Sequence, residues 1–166
     1  MKEIKTVLTE KLGIQYPIIA ACMQWISKAE LVAAVSEAGG LGVLSSSTFF
    51  TAEELRAEVK KVKSMTDKPF AVNITFLPAS FEPDFDGYIR VCKEEGVKII
   101  ETAGRIPSPE RIAAIKDAAF WMHKCTIVKH ALKAQNAGCD LIIADGFECA
   151  GHPGENDIGT MVLTPA

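Results

Sequence analysis

No apolar run in this 166-residue chain approaches the roughly 18 residues that a membrane-spanning helix needs, so none is expected. The N-terminal Met1-Lys-Glu-Ile-Lys-Thr6 carries charge but no apolar stretch behind it, so no secretory leader is expected either. Excess positive charge is also missing. A formal net charge of −3 offers no cationic surface for a nucleic-acid backbone. The five cysteines (Cys22, Cys92, Cys125, Cys139 and Cys149) are odd in number and irregular in spacing, which argues against a disulfide framework and for a reducing, cytoplasmic setting. Cys149-x-x-His152 and His123-x-Cys125 lack any second CxxC or HxxxH to complete a ligand set, so no metal site is expected. Finally, no G-x-G-x-x-G follows the first predicted strand, as a dinucleotide-binding sheet would often show.

What is present is a repeat. With 48% hydrophobic and 23% charged residues, the chain has the composition of an ordinary globular domain and the length for one sizeable core. Short apolar runs predict strands at Pro17–Cys22, Leu41–Ser45, Phe70–Ile74, Lys98–Thr102, Phe120–Lys124 and Leu141–Ala144. Most are apolar almost throughout, as parallel strands covered on both faces are. Between them lies helix punctuation. Ser27-x-x-Glu30 and Thr51-x-x-Glu54 read as capping boxes, the second followed by Leu55, Val59 and Val62 on one face. Asp84 to Glu95 reads as a helix stopped by Gly96, and Ser108-Pro109 and Thr126 read as further helix starts.

Six β/α steps suit a (β/α)8 barrel or an open doubly wound sheet. The barrel is favoured because polar groups stand at nearly every strand exit: Gln24, Ser45 to Ser47, Asn73 and Thr75, Glu101 and Thr102, Lys124, and Asp145. A site assembled from many strand tips is the habit of that fold. Serines and threonines would stand at strand exits in any case; a lysine and an aspartate closing apolar runs ask for more. A full barrel takes about 250 residues, so the expectation is one incomplete barrel domain over residues 1–166, with strands seven and eight missing. Such a sheet would expose two edges. The most informative segment is Asp145-Gly-Phe-Glu-Cys-Ala-Gly-His152-Pro-Gly-Glu155, directly after the sixth strand. A carboxylate, two glycine-bearing turns and an imidazole in that order read as an active-site loop.

These segments resemble the nitronate monooxygenase family (2-nitropropane dioxygenases), FMN-dependent TIM-barrel flavoproteins. The matching stretches are Tyr16-Pro-Ile-Ile with Met23-Gln-Trp25, Glu37-Ala-Gly-Gly-Leu-Gly42, Thr66-Asp-Lys-Pro-Phe70 with Val72-Asn-Ile-Thr75, Glu101-Thr-Ala-Gly104, His123-Lys-Cys-Thr126 with His130-Ala-Leu-Lys-Ala134, and Asp145 through Glu155. The last two look closest to the family's NAD(P)H:quinone reductase branch.

The resemblance implies an FMN site at Cys22, Met23, Gln24, Asn73, Thr75, Lys124, Asp145, Ala150 and Gly151, with His152 as the catalytic residue over the ring. Lys124 would stand near the pyrimidine side of the ring and stabilise negative charge there. His123 and His130 are read as structural. Where the family usually has Gly-Gly-Met, this chain has Ala21-Cys22-Met23; Ala118-Ala119-Phe120-Trp121 and Gly159-Thr160 also depart from the pattern. The implied activity is oxidation of alkyl nitronates with O2. The alternative on the same scaffold is quinone reduction by NAD(P)H, and that of another class is a silent barrel fragment lacking the FMN-phosphate loops. Expected partners are small molecules, with a homo-oligomer left open.

Overall fold

The computed structural model describes residues 4–78 and 81–166, so Met1–Glu3, part of the segment read for a leader, lie outside the described residues. The elements, in chain order, are α1 (Val7–Leu12), β1 (Ile19–Ala20), α2 (Ala29–Glu37), β2 (Leu41–Ser45), a 3-10 turn (Ser46–Thr48), α3 (Ala52–Met65), β3 (Phe70–Phe76), α4 (Phe85–Glu94), β4 (Ile99–Gly104), α5 (Pro109–Ala118), β5 (Phe120–Cys125), α6 (Val128–Asn136), β6 (Leu141–Ala144) and α7 (Thr160–Leu163). The six strands form one parallel sheet in sequence order, curled into part of a barrel. No helix among the described residues is long and apolar enough to cross a membrane.

The central strands, β2 to β5, are largely apolar on both faces because both faces are covered. Leu41, Val43, Ala71, Ile99 and Met122 form one buried cluster, with Leu141 and Ile143 packed against it, on the inner side of the curve. Leu44, Val72, Ile74, Ile100 and Trp121 belong to the other, against Val32, Leu55, Val59, Val62, Val91 and Ile115 of the helices. The predicted stripe Leu55, Val59, Val62 is thus buried as expected. Parallel pairing brings Val43, Ala71, Ile99 and Phe120 into register, then Ser45, Asn73, Glu101 and Met122 two residues on.

The capping box at Thr51 and Glu54 is present: the Glu54 N–H reaches Thr51 Oγ1 at 3.2 Å, and the Thr51 N–H reaches Glu54 Oε2 at 3.2 Å. Ser108 caps α5 ahead of Pro109 as expected, and Asp84, read only as the start of its helix, is the N-cap of α4. Two expected caps are not caps. Ser27 turns back to accept the Met23 N–H at 2.9 Å, and α2 is capped instead by Glu58 of α3, whose Oε1 accepts the Ala29 N–H at 2.7 Å. A carboxylate from a neighbouring helix supplies a charge-assisted bond that a local serine cannot match. Thr126 stands one residue too early, because α6 starts after Ile127 with no side-chain cap. Helix α1 went unread in the sequence. Its box uses Thr6 and Thr9 where glutamate or glutamine is the usual second member. The apolar Met161-Val-Leu163 lies in α7 and adds no strand.

Trp121, the bulkiest departure from the family pattern, is wholly buried on the helix-facing side. Its indole Nε1 donates to Thr102 Oγ1 at 2.7 Å, and that hydroxyl also lies 2.7 Å from His123 Nδ1. Burial, with His130 adding a smaller like-charge effect, pushes His123 down to about 4 from 6.5. The folded protein therefore keeps this ring neutral where the unfolded chain protonates it. The associated stability is complete above about pH 6.5 and is lost as pH falls toward about 4, by up to about 3 kcal/mol. Urea midpoints measured from pH 7 to 4.5 should fall accordingly, and the fall should be shallower in H123F.

Gly42 marks where α2 meets β2. A Cβ there would land on the Val32 carbonyl oxygen, with Val32 Cα 2.8 Å away, and backbone cannot yield as a side chain can. Gly42→Ala should cost about 1–3 kcal/mol by the same unfolding measurement.

Candidate active site

The alternation along parallel strands decides which residues can meet. The inner parity of each strand runs Leu41, Val43, Ser45; Ala71, Asn73, Thr75; Ile99, Glu101; Met122, Lys124; and Leu141, Ile143. On the inner face the apolar layer gives way at the carboxyl ends to serine, asparagine, threonine, glutamate and lysine. Asp145 follows β6 directly, its N–H bonded to the Cys125 carbonyl at 2.9 Å.

These groups form a chain of contacts. Thr75 Oγ1 donates to Asn73 Oδ1 at 2.7 Å, and Asn73 Nδ2 donates to Glu101 Oε1 at 2.9 Å. The same oxygen lies 3.3 Å from Lys124 Nζ. Lys124 Nζ also lies 3.8 Å from Cys22 Sγ. Burial opposes the Lys124 ammonium, but the Glu101 carboxylate, with Cys22 and Asp145 adding to it, outweighs burial and holds the amine above the usual lysine value. Cys22 goes the other way. Burial first, then the negative charge of Glu101, push its thiol up to about 12, with Lys124 only partly offsetting them. Cys22 is therefore a neutral neighbour of the ammonium and not a ready nucleophile.

His152 is reached through Thr75. A cavity of about 230 Å³ is lined by Gln24, Ser46, Ser47, Thr75, Phe81 and His152, among others. Gln24 is fixed there by donating from Nε2 to the Ser47 carbonyl at 2.8 Å. The loop carrying His152 closes on itself at its base, where the Phe147 N–H bonds to the Ile158 carbonyl, the Gly146 N–H to Thr160 Oγ1 and the Thr160 N–H to Glu148 Oε1. Gly151, at φ 92°, makes the left-handed turn just before the imidazole.

Of the ten residues named from the sequence, Cys22, Asn73, Thr75 and Lys124 meet in one network, with Asp145 close enough to act on the amine, while Gln24 and His152 share the cavity that Thr75 borders. Met23, Ala150 and Gly151 are exposed, and the Met23 N–H is taken by Ser27. The residue missing from that set is Glu101. It sits in the centre of the network, wholly buried, and the signal for it was its position at the end of an apolar strand on the parity of Asn73. A ridge of aromatic rings borders the cavity as well: Phe81 lies 4.9 Å from Phe50, and Phe50 6.3 Å from Trp25, between centroids. Trp25 and Phe50 are each 56% exposed, and Trp25 is the one described non-glycine residue with positive φ.

A model of the nitronate monooxygenase family matches residues 5–95, more than half of the chain. The (3aS,4S,5R,7aS)-5-hydroxy-7a-methyl-1-oxo-octahydro-1H-indene-4-carboxyl-CoA dehydrogenase of Mycobacterium tuberculosis is 38% identical over 98% of this chain and 44% of its own length. A probable nitronate monooxygenase of Staphylococcus haemolyticus is 33% identical over 95% of this chain and 56% of its own. Among solved structures, FabK from Thermotoga maritima superposes with a TM-score of 0.85 at 34% identity, covering 96% of this chain and 49% of that one. A nitroalkane oxidase from Streptomyces ansochromogenes gives 0.77 at 27%, covering 90% and 51%. The chain spans about half the length of these relatives.

Proposed function

Given that this chain belongs to the nitronate monooxygenase family, we propose that its six strands supply the ring-binding face of an FMN-dependent oxidoreductase barrel that oxidises alkyl nitronates with O2. The observation that carries this reading is the half-buried Lys124 ammonium, paired with Glu101 at the carboxyl end of the inner face and linked through Asn73 and Thr75 to the cavity of His152. A cation in that position, largely withdrawn from water, suits the electron-rich pyrimidine half of a flavin. Lys124, Asn73 and Thr75 would hold the ring, with Cys22 and Asp145, both close to the Lys124 amine, completing that side of the site.

Bound FMN would supply the two-electron chemistry. The chain's part is electrostatic and positional. Lys124 offers fixed positive charge, Gln24 is held against Ser47 at the cavity wall, and His152 presents an imidazole that can take up or donate a proton at the substrate. The cavity's volume of about 230 Å³ lies below the ~300–1,000 Å³ of typical small-molecule sites.

A second reading keeps the flavin and changes the substrates to NAD(P)H and a quinone. The aromatic ridge of Trp25, Phe50 and Phe81 favours it, because a planar apolar acceptor can stack there and a small nitronate gains little from it. Nitronate-dependent oxygen uptake supports the first reading, and quinone-dependent NAD(P)H consumption the second; absence of both defeats the two together. Flavin bands that survive dialysis exclude a silent fragment. In a flavin-retaining protein, K124M should weaken FMN binding about 10- to 150-fold. H152A should leave FMN affinity unchanged while turnover falls about 10²- to 10⁴-fold.

A further inference from the structure

Glu101 is the one wholly buried acidic residue among the described residues. A carboxylate at that depth is costly unless it is paired and hydrogen-bonded. Its bonding is one-sided. Oε1 accepts from Asn73 Nδ2 at 2.9 Å and faces Lys124 Nζ at 3.3 Å, whereas Oε2 has no partner. A carboxylate kept only to tie strands together would be expected to spend both oxygens. This one concentrates its donors on the oxygen that faces the lysine.

The geometry also defines what would hold Lys124 without it. The titratable groups around the amine are Glu101 from β4, Cys22 from the segment after β1, Asp145 from the end of β6, and Cys149 from the loop that follows it. Glu101 is its ion-pair partner, and the contact to Cys22 Sγ, at 3.8 Å, is long and weak. The Lys124 side chain is only 15% exposed, so water can replace that pairing only in part. Glu101 is itself anchored by Asn73, whose Oδ1 is in turn held by the Thr75 hydroxyl.

We propose that Glu101 is a positioning residue: through its Oε1 it fixes where the Lys124 ammonium stands, so that the inner face presents a located cation to an anionic or electron-rich ligand. Lys124's contact with flavin rests on the function proposed above; the Glu101–Lys124 relation belongs to the chain alone and can be measured without any ligand. With Glu101 neutralised, burial would be the dominant influence on the amine and its titration would drop.

The test is an NMR titration of the protein carrying 13Cε-labelled lysine, with the Lys124 signal identified by its loss in K124M. In E101Q, with folding checked by circular dichroism, the Lys124 midpoint should fall by about one pH unit or more. A D145N control should move it less. A folded E101Q with an unmoved Lys124 midpoint overturns the proposal. If E101Q does not fold, E101D takes its place: the shorter side chain draws the carboxylate away from Lys124 Nζ and should lower the midpoint in the same direction by a smaller amount, and an unchanged midpoint is again fatal. A lowered midpoint in a protein that binds no FMN would sink the proposed function and leave Glu101's role standing. FMN binding with an unmoved midpoint would do the reverse.

Discussion

Parallel pairing in strict sequence order is the constraint from which the site follows. Strands β2 to β5 are covered on both faces, so their alternate residues must satisfy two different environments, helix-facing and interior. A one-residue slip of any strand would exchange the two sets, placing Asn73 or Glu101 among the helices and Val72 or Ile100 inside the curve. The observed register instead carries Ser45, Asn73 and Glu101 across three strands at one level. Polar residues can cluster at the carboxyl end of the inner face because the apolar level before it, Val43, Ala71 and Ile99, is already buried. The apolar packing thus places the polar groups.

Desolvation then gives those groups their chemical character. The same burial acts on Cys22 and Lys124, which lie 3.8 Å apart, and pushes both toward their neutral forms. What separates them is the sign of Glu101. Its negative charge reinforces burial at the thiol and opposes it at the amine, so one neighbour stays neutral and the other stays ionised. The buried pair does not need to stabilise the fold to be retained. Such pairs often only break even against apolar residues of similar size. Here its value lies in setting a positive charge at a fixed point.

Much of this was legible in the sequence, and the misses have physical causes. Two strands, Leu41–Ser45 and Leu141–Ala144, match residue for residue because glycine turns and apolar runs bound them sharply. Alternation alone placed His123 on the side away from Lys124, and the structure buries it beside Thr102 and Trp121. The expected cap at Ser27 failed for a reason no local pattern carries: Glu58, 29 residues from Ala29, reaches the same helix end. Glu101 was read as a strand-end polar group and left out of the site for a related reason. Its importance lies in partners on β3 and β5, and pairing distance is invisible until register is known.

The strands β4 and β5 carry two buried polar clusters on opposite faces, and each holds one unpartnered atom, Glu101 Oε2 inside and His123 Nε2 outside. Burial does not distinguish them, since both residues are wholly enclosed. Charge and continuity do. The outer cluster, Thr102, Trp121 and His123, is neutral, with the imidazole pushed down to about 4, and its hydrogen bonds end among its own members and the strand backbone. The inner cluster contains an ammonium and a carboxylate and runs on through Asn73 to Thr75, which borders a cavity. A closed neutral network can only respond to the solvent's acidity by unfolding. An ionic network with one end at a cavity wall can respond to a ligand, and that asymmetry between two faces of the same pair of strands is why the inner one is assigned the chemistry.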